Sequence, residues 1–474
     1  MKKHGLFKIL LLVLLVVIVL TYCIKGRGDA ISYLGLGDVF LNFLQSFYYF
    51  FDTILFILIV GGFYGVLNKT GAYKKLLDKI VTKFKPKSKE FVFAIIILFA
   101  LITALTGLTI PLLVFIPFIV SIILLMGYDK LVAISATFGA IIMGFIGGIF
   151  ITVKDPSNYY AVSYTTIDKF VGLESNFVNL FPKIFLLCAA VGLLIFYVNR
   201  HIKNVEDKKV KYDINDNTDI MIAEVKGSYK DIKVWPLIVV LSLIFVLMIL
   251  GMVSWAGVFN IDVFTTFHTW LTGLEIKKFA VFNNIISANF AAFGEWLSLG
   301  NYMMLMIVLI LFSFIIKLVC KIKFDDALDG FLDGMKKMLP TAVLVALSFT
   351  VLVCTYNNGF METIINKAGN FNIGLTSLVT LLGSLLNIDL YYTASGIFTP
   401  MLTLFTNESI LTVVAILFQS LYGFVMLLGP TSTLLIIGLT YLEVPYTTWL
   451  KYIWRFALAL FIIIFFVLLI VSLI

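Results

Sequence analysis

Long apolar segments recur along the whole chain, and they restrict the fold more than any other feature of the sequence. Several reach 18 residues or more, and a run of 16 follows the basic N-terminus from Ile9 to Ile24. In hydrocarbon every backbone polar group must be paired within the protein, so runs of this length predict transmembrane helices. Hydrophobic residues make up 61% of the 474 residues and charged residues 13%, unlike the composition of a soluble domain. The sequence therefore predicts an all-α polytopic membrane protein.

Positive charge is concentrated in three loops. Residues 69–90 contain eight lysines, residues 199–233 contain eight Lys or Arg beside seven acids, and residues 320–338 contain four lysines. The positive-inside rule places these loops in the cytoplasm. The first apolar run is then an uncleaved transmembrane helix with a cytoplasmic N-terminus. Membrane orientation also accounts for the net charge of +8, so we expect no nucleic-acid partner.

The loop assignment predicts two re-entrant hairpins. Segment 91–126 leaves a cytoplasmic loop and must return to the same side, because segment 129–152 has to reach the outside. It is interrupted at residues 106–111, where the sequence reads TGLTIP. Segment 373–408 has the opposite orientation and is interrupted at residues 393–400, which include SGIFTP. These interruptions predict hairpin tips that lie at membrane depth.

The order of segments predicts two inverted-topology repeats, each with a re-entrant helical hairpin and a broken transmembrane helix. Interrupted helices at matching places in inverted halves are typical of secondary transporters, whose binding sites lie near the membrane midplane. The predicted units are a first repeat at 1–198 with hairpin 91–126 and broken helix 129–152, a cytoplasmic charged loop at 199–233, a linker helix and outer loop at 234–299, and a second repeat at 300–474 with hairpin 373–408 and broken helix 409–441.

The interruptions supply the candidate binding residues. Backbone N–H groups at the start of a half-helix suit a carboxylate, whereas freed carbonyls and hydroxyls suit Na⁺. Glycine and threonine are also common at close helix contacts in membranes, so a packing role for each residue is the alternative. The candidates for binding a substrate or ion are Asn387, Asp389, Thr393, Ser395, Gly396, Thr399, Gly429, Thr431, Ser432, Thr106, Gly107, Thr109, Gly147 and Gly148.

Asp389 is the most specific of these candidates, because a carboxylate at membrane depth is costly and is usually functional. The alternative is that it is solvated in a wet vestibule. For Asp52 we expect an interfacial or capping role. The three histidines fall in terminal or loop regions, which argues against a histidine proton relay, and the four well-separated cysteines are expected to be packing residues.

Three stretches resemble the YfcC-like branch of the C4-dicarboxylate anaerobic carrier family, within the ion transporter superfamily. The stretches are LFILIVGGFYGVLNKTGAYKKLLDKI at 55–80, LLMGYDKLVAIS at 124–135, and SLLNIDLYYTASG at 384–396, which continues through Gln419 and Gly429-Pro430-Thr431-Ser432 to VPYTTWLKYIWRF at 444–456. The resemblance covers most of the chain except 199–233. It implies a carrier fold with two re-entrant hairpins, and it also implies a homodimer.

The sequence departs from this family at both hairpins. The first hairpin lacks the acidic residues that relatives carry before the proline, and residues 392–396 read YTASG where relatives have Pro-Ser-Gly-Ser-Gly. Relatives transport dicarboxylates, and some are labelled as carriers of basic amino acids or peptides. The two alternatives, a C4-dicarboxylate or an amino acid, therefore remain open.

The resulting hypothesis is a secondary active transporter of a small carboxylate-bearing solute in the cytoplasmic membrane, either ion-coupled or an exchanger. The alternatives are a basic amino acid or peptide antiporter of the same fold and, less favoured, a passive channel or structural membrane protein. The chain has no HExxH motif and no Gly-x-Ser-x-Gly elbow, so we expect no enzyme. The expected partners are the lipid bilayer and the solute. We expect no resident cofactor or metal, with Na⁺ or H⁺ as the coupling ion and the hairpin tips as the place for Na⁺.

Overall fold

The computed structural model describes residues 5–26, 29, 31–150, 152–154, 164–167, 177–207, 232–287, 289–296, 302–368, 373–386, 389–390, 392–394 and 408–473. Up to residue 150 the helices are α1 (Gly5–Ile24), α2 (Leu36–Tyr49), α3 (Phe51–Asn68), α4 (Gly71–Phe84), α5 (Ser88–Thr106), α6 (Ile116–Leu125), α7 (Lys130–Ile134) and α8 (Ala140–Ile146). A π-helical turn, Ser135–Gly139, joins α7 to α8, and 3₁₀ turns lie at Lys85–Lys87 and Ile110–Val114.

The middle and C-terminal parts of the chain are also largely helical where the structure describes them. They are α9 (Phe177–Glu206), α10 (Trp235–Met252), α11 (Trp255–Phe259), α12 (Val263–Thr272), α13 (Met303–Val319), α14 (Phe324–Asn357), α15 (Phe360–Ala368), α16 (Ile373–Leu386), α17 (Glu408–Leu428), α18 (Thr433–Tyr441) and α19 (Tyr446–Leu473). A second π-helical turn lies at Asn283–Ser287.

The fold is nearly all helical, as predicted, with two small exceptions that the sequence analysis did not foresee. Strands β1 (Thr152–Lys154) and β2 (Tyr164–Thr166) form one antiparallel pair, and β3 (Glu275–Ile276) and β4 (Phe279–Ala280) form another. Within the described residues, eight helical segments are long and apolar enough to cross a membrane, counting α4–α5 and α17–α18 as one segment each.

Segment 91–126 folds as a hairpin whose two ends meet. The hydroxyls of Ser88 at the start of α5 and Tyr128 after α6 are 2.7 Å apart. The returning helix α6 has 10 residues, which at 1.5 Å per residue is about half the ~30 Å thickness of a bilayer core. The arm α5 is longer, with 19 residues, and both ends of the hairpin lie on one side.

Two helix boundaries do not follow the apolar runs of the sequence. Helices α2 and α3 meet at Phe50, where the backbone leaves the helical conformation. Helix α14 begins at Phe324, inside the basic segment 320–338, because its first turns are amphipathic and charged rather than apolar. Its charged N-terminal turns lie in the segment that we expected to be a loop.

Helices α3 and α14 cross at four glycines, which allow their backbones to touch. A Cβ atom on Gly65 would lie 1.9 Å from the carbonyl oxygen of Gly330, and one on Gly334 would lie 2.0 Å from that of Gly61. Each helix thus supplies a Gly-x₃-Gly pair, and the two pairs face each other. Small residues at this spacing are a common basis for close helix packing in membranes.

The three basic loops lie on one side of the molecule. Lys89 forms an ion pair with Glu206 (2.6 Å), and Lys75 Nζ donates to the carbonyl oxygen of Ile232 (2.8 Å). The side chain of Lys69 packs against Gly330, near the start of α14. Segments 69–90 and 320–338 and the described parts of 199–233 (199–207 and 232–233) therefore share a face, which we call the basic side.

Helix α8 is the centre of the core. All seven of its residues are buried, and it packs against α5, α9 and α17. Glycines permit this density: a Cβ atom on Gly144 would lie 2.3 Å from the carbonyl oxygen of Ala100 in α5. The helix therefore touches the first hairpin and α17, the helix that follows the second predicted hairpin.

Candidate functional site

The first helix break follows α8 and is attached to the first hairpin. After Ile146 the chain leaves the helix at Gly147, and the N–H groups of Ile149 and Phe150 both donate to the carbonyl oxygen of Ala104 (2.8 and 3.1 Å). Gly147 also packs directly on α9, where an added Cβ would lie 2.3 Å from the backbone nitrogen of Leu187. The break is therefore held between α5 and α9, which places Gly147 and Gly148 beside the first hairpin.

The side chain of Gln419 fills this break from α17. Its amide nitrogen donates to the carbonyl oxygens of Phe145 (3.0 Å), Ile146 (3.4 Å) and Gly148 (2.8 Å). The last carbonyls of a helix lack intrahelical partners, so one side-chain amide here replaces several lost hydrogen bonds. The Gln419 amide oxygen is buried and has no hydrogen-bond partner among the described residues, which leaves one acceptor beside the break.

The second break, Gly429–Ser432, is held by two side chains of α19 and by its own bond to α16. Tyr446 Oη donates to the carbonyl oxygen of Leu428, and Trp449 Nε1 donates to that of Leu427 (3.0 Å). Thr431 Oγ1 donates to the carbonyl oxygen of Leu385 near the end of α16 (2.6 Å).

Within this break, Ser432 caps α18, since its hydroxyl accepts from the N–H of Leu435 (3.4 Å). In the structure Thr431 and Ser432 thus hold the broken helix together, and Gly429 gives it a tight turn with its N–H bonded to Val425 O (2.6 Å). Their contact with a solute remains a prediction.

The same relation recurs at both breaks. The first break is bonded to the end of α5, which is the first arm of the first hairpin. The second break is bonded to the end of α16, the helix that begins the predicted second hairpin. Each interrupted helix is therefore tied to the hairpin segment that precedes it in the chain.

The first hairpin tip is stabilised locally by its threonines and a glycine. Gly107 has the left-handed conformation (φ 73°), which ends α5, and its N–H donates to Thr103 O (2.8 Å). Thr106 Oγ1 donates to Ile102 O (2.5 Å) and accepts from the N–H of Leu108. The carbonyl oxygen of Thr109 accepts from the N–H of Leu112 (3.2 Å), which begins the 3₁₀ turn.

One hydroxyl in this hairpin, that of Thr103, is not used in a hydrogen bond among the described residues. Thr103 Oγ1 is buried and has no hydrogen-bond partner in the described part of the chain, and the side chain lies against the position of Gly144. An uncompensated buried hydroxyl is unfavourable, so such groups are often places where water or a ligand binds. Thr103 lies one turn before Thr106, the first residue of this hairpin among the predicted site residues.

The described part of the second hairpin tip centres on Asp389. Its carboxylate accepts from the N–H of Tyr392 (3.2 Å), and its carbonyl accepts from that of Thr393 (3.0 Å). The ring of Tyr392 contacts Phe50, between α2 and α3, and Tyr356 of α14, with centroid distances of 6.1 and 4.8 Å. The candidates that lie outside the described residues are Asn387, Ser395, Gly396 and Thr399.

Two carboxylates converge near this tip. Asp52 and Asp389 both lie close enough to the hydroxyl of Tyr302 to interact with it electrostatically, and Asp389 also interacts with Tyr422 of α17. Asp52 is only 9% exposed and lies in the first turn of α3, a position that agrees with the expected capping role, whereas the interfacial position stays a prediction. The second hairpin tip packs against the junction at Phe50, beside the start of that helix.

The ring of Tyr422 connects this acidic region to the first break. Its centroid is 5.4 Å from that of Phe145, at the end of α8, and Tyr422 lies one turn after Gln419 on α17. The structure thus brings Asp389, Tyr422, Gln419 and the first break into one polar region. A buried amide within an otherwise apolar helix was the sequence signal that could have identified Gln419.

Helix α16 adds a row of buried hydroxyls. Thr376, Thr380 and Ser384 are spaced by four residues, so they lie on one face, and each has a buried oxygen without a partner among the described residues. This helix packs mainly on α17. Hydroxyl oxygens in this arrangement suit a weakly bound cation or water better than an apolar solute.

Two buried titratable residues, Lys183 and His201, were not among the predicted site residues. Lys183 is 3% exposed and lies one turn before Leu187, the residue on which Gly147 packs. His201, which we expected in a loop, lies buried on α9, with its Nε2 2.8 Å from Asp129 Oδ2. The expectation failed because α9 continues past the apolar run into charged sequence. Within the described ranges, no three His, Cys, Asp or Glu side chains are grouped as a metal site.

Comparisons with known proteins identify the family. A stretch of 110 residues is 31% identical to an uncharacterized protein of Haemophilus influenzae, covering 23% of this chain and about a fifth (22%) of that relative. The crystal structure of the Alcanivorax borkumensis YdaH transporter, described as having an unusual topology, aligns with 99% of this chain and 98% of its own, at 14% identity and a TM-score of 0.40.

The decisive comparison is with the family model described as C4-dicarboxylate anaerobic carrier, which matches residues 45–473. This range includes both helix breaks, both predicted hairpins and the acidic region around Asp389. The apolar helices and this match together make the chain a multi-pass membrane protein. The protein belongs to the C4-dicarboxylate anaerobic carrier family.

Proposed function

We propose that this protein is a secondary active transporter of a small carboxylate-bearing solute, with the solute held between the two helix breaks and the two hairpin tips. The observation that carries the proposal is the recurrence of one device: each broken helix is bonded to the first arm of its own hairpin, at Ala104 and at Leu385. Paired, interrupted helices of this kind are typical of carriers that bind their solute at the membrane midplane. The two predicted repeats would then be related by inverted topology.

Two features support an anionic solute. The N-terminus of α18, capped by Ser432, presents backbone N–H groups and a partial positive charge at the second break. Lys183 adds a buried cation one turn from the contact between α9 and the first break. A C4-dicarboxylate has two carboxylates. We expect one to bind at each break, because each break lies near a source of positive charge. This assignment agrees with the family to which the chain belongs.

The acidic region favours a cation as the partner in transport. Asp52 and Asp389 lie near one tyrosine hydroxyl, and buried hydroxyls line α16 nearby in the sequence. Carboxylate and hydroxyl oxygens suit Na⁺, and carboxylates also carry protons in transporters. We propose that Asp389 couples solute movement to Na⁺ or H⁺.

The same acidic region supports a second candidate function. Two carboxylates close to Tyr302 and Tyr422 could instead receive the ammonium or guanidinium group of a basic amino acid. The protein would then be a basic amino acid or peptide antiporter with the same fold. The two candidate functions differ in the solute that the protein binds: a dicarboxylate in the first and a basic amino acid or peptide in the second.

We propose that the protein works in the cytoplasmic membrane with its basic side and N-terminus in the cytoplasm. The support is the shared face of the three basic loops, shown by the Lys89–Glu206 pair and the Lys75–Ile232 hydrogen bond. A homodimer is the assembly that we expect from the family.

Uptake into liposomes that contain the purified protein tests the proposal. Radiolabelled succinate and arginine serve as the two probes, each with an inward Na⁺ gradient, an inward H⁺ gradient, or unlabelled solute inside. We expect saturable succinate uptake that one gradient or internal solute accelerates. Preferred uptake of arginine would support the second candidate. Linear flux that ignores every gradient and the internal solute would contradict a carrier and indicate a channel.

A further inference from the structure

A cavity of about 210 Å³ opens between α9 and α19, away from both helix breaks. It is lined by Tyr197, Arg200, His201, Asn204, Lys451, Tyr452, Trp454 and Arg455. Arg200 lies in the last two turns of α9, the helix that ends at Glu206, and Glu206 pairs with Lys89, so the cavity is toward the basic side of the molecule. Three of its lining residues carry permanent positive charge, which makes it a site for an anion.

The floor of the cavity is rigid. Tyr197 Oη donates to the carbonyl oxygen of Tyr452, and Tyr452 Oη accepts from Ser135 Oγ (3.2 Å). The ring of His201 lies against Tyr452 with centroids 4.9 Å apart, and its Nε2 is 2.8 Å from Asp129 Oδ2. These bonds join α9, α19 and the turn between α7 and α8. The cavity is therefore formed before any ligand binds, which reduces the cost of binding.

The positive charge at the rim of the cavity belongs to two arginine side chains. Arg200 and Arg455 are exposed, and the Arg455 guanidinium lies 5.2 Å from the ring centre of Trp454. A guanidinium can donate two parallel hydrogen bonds to phosphate oxygens. The two arginines come from different helices, so a phosphate between them would contact both.

The surface next to the cavity is apolar and faces outward. Phe196 lies one turn from Arg200 on α9 and is 64% exposed, and Leu458 lies one turn from Trp454 on α19 and is 55% exposed. The α9 face continues through Gly192, beside which a Cβ would meet no other atom within 4 Å. Positive charge at the end of two helices, followed directly by an open apolar strip, matches a molecule with a phosphate and an acyl chain.

We propose that this cavity binds the headgroup phosphate of an anionic phospholipid, whose acyl chain lies along the apolar strip of α9 and α19. Basic pockets between transmembrane helices on the cytoplasmic side are suited to such headgroups. A free phosphate would satisfy the arginines but would leave the strip unused, so the lipid gains the larger contact. Arg200 and Arg455 select the negative headgroup, while Trp454 marks the level of the interface.

Lipid retention in native mass spectrometry tests the proposal. The full-length protein is mixed in detergent with phosphatidylglycerol or phosphatidylcholine of the same acyl chains. We expect wild type to retain phosphatidylglycerol preferentially. The double variant Arg200→Gln/Arg455→Gln should lose this preference by about tenfold or more, because charge-assisted hydrogen bonds to two side chains are removed. Both arginines are exposed, so the variant should keep its fold, and its thermal stability in phosphatidylcholine checks this.

The double variant Lys83→Gln/Lys87→Gln is the matched control, because it removes two exposed positive charges from the same side. An equal loss in this control would show nonspecific attraction and overturn the proposal. Competition by inorganic phosphate that displaces phosphatidylglycerol completely at equal concentration would also overturn it, since the site would then belong to a free anion. These outcomes do not depend on transport, so they are separate from the test of the proposed function.

Discussion

At the scale of single residues, the side chain that most affects the candidate site is Gln419. It replaces hydrogen bonds that α8 loses at its end, and it does so from a helix in the other predicted repeat. The Gln419 amide therefore stabilises the end of α8 and also positions the first break. Its remaining oxygen is buried without a hydrogen-bond partner among the described residues.

Replacing Gln419 with leucine should destabilise the protein. The substitution keeps the size but removes the donor to the buried carbonyl oxygen of Gly148, whereas that of Phe145 still accepts from the N–H of Gly148. The loss costs about 1–3 kcal/mol for the unsatisfied group. The free energy of unfolding in detergent, from a denaturant titration, measures the loss. Gln45→Leu is the control, since Gln45 makes only a long contact with Asn357 at the surface, and its change should stay within about 0.5 kcal/mol. Equal changes in both variants would contradict the role of Gln419.

Replacing Asp389 with asparagine should remove ion coupling. The amide keeps the size and the bond to the N–H of Tyr392 but cannot hold a proton or balance a cation. Succinate uptake in liposomes should then become independent of the Na⁺ and H⁺ gradients. Asp326→Asn, at an exposed position in the first turn of α14, should behave as wild type. If gradient dependence survives in Asp389→Asn, this residue is not the coupling group.

Sequence analysis found the residues at the interruptions but not the residues that hold them. Gly107 and Gly429 could be predicted because glycine interrupts an apolar run visibly. The partners of Gln419 and His201 could not, because each lies far away in the chain: Gln419 bonds to residues more than 270 positions earlier, and His201 lies 72 positions from Asp129. Pairing across such distances depends on the packing of whole helices, which a local pattern does not contain.

At the scale of helices, the crossing of α3 and α14 is the tightest contact described. Gly61 and Gly65 face Gly330 and Gly334, and the backbones leave no room for a methyl group. This contact joins the two predicted repeats, because α3 belongs to the first and α14 to the second.

Gly65→Ala should force these two helices apart. The new Cβ would lie 1.9 Å from the carbonyl oxygen of Gly330, which is backbone and cannot rotate away. Overpacking of this kind costs about 1–3 kcal/mol or more, and the midpoint of thermal unfolding in detergent should fall. Gly192→Ala on α9 is the control, since its Cβ meets open space. A Gly65→Ala protein as stable as the control would contradict the close packing.

The helix boundaries show why some elements could be predicted. The breaks at Gly147 and Gly429 follow from apolar runs that contain glycine, and both lie where the sequence predicts them. The π-helical turn at Ser135–Gly139 has no such signal, since its residues are ordinary helix formers and membrane packing residues. The charged start of α14 was assigned to a loop because hydropathy alone cannot distinguish a polar helix from a connection.

At the scale of the whole molecule, the basic side sets the predicted orientation. Ion pairs and packing contacts place the three lysine-rich segments on one face without reference to a membrane. The β3–β4 ribbon belongs to segment 234–299, which we predicted to lie outside.

Cysteine accessibility in intact cells tests this orientation. In a background where the four native cysteines are replaced by serine, Lys83→Cys should react with a membrane-impermeant maleimide only after permeabilisation. Glu275→Cys, on the exposed β3 strand, should react in intact cells. The reverse pattern would place the basic side outside, and labelling of both in intact cells would show that the cells leak.

The bond between Gln419 and the end of α8 limits how many parts of the protein can move separately. Since α17 holds the first break and also packs along α8 and α16, these helices have few independent degrees of freedom. If a gating motion carries the second hairpin, the first break must travel with it or the three hydrogen bonds must break together. A carrier built in this way would transmit a displacement at one hairpin to the opposite half without any intervening linker.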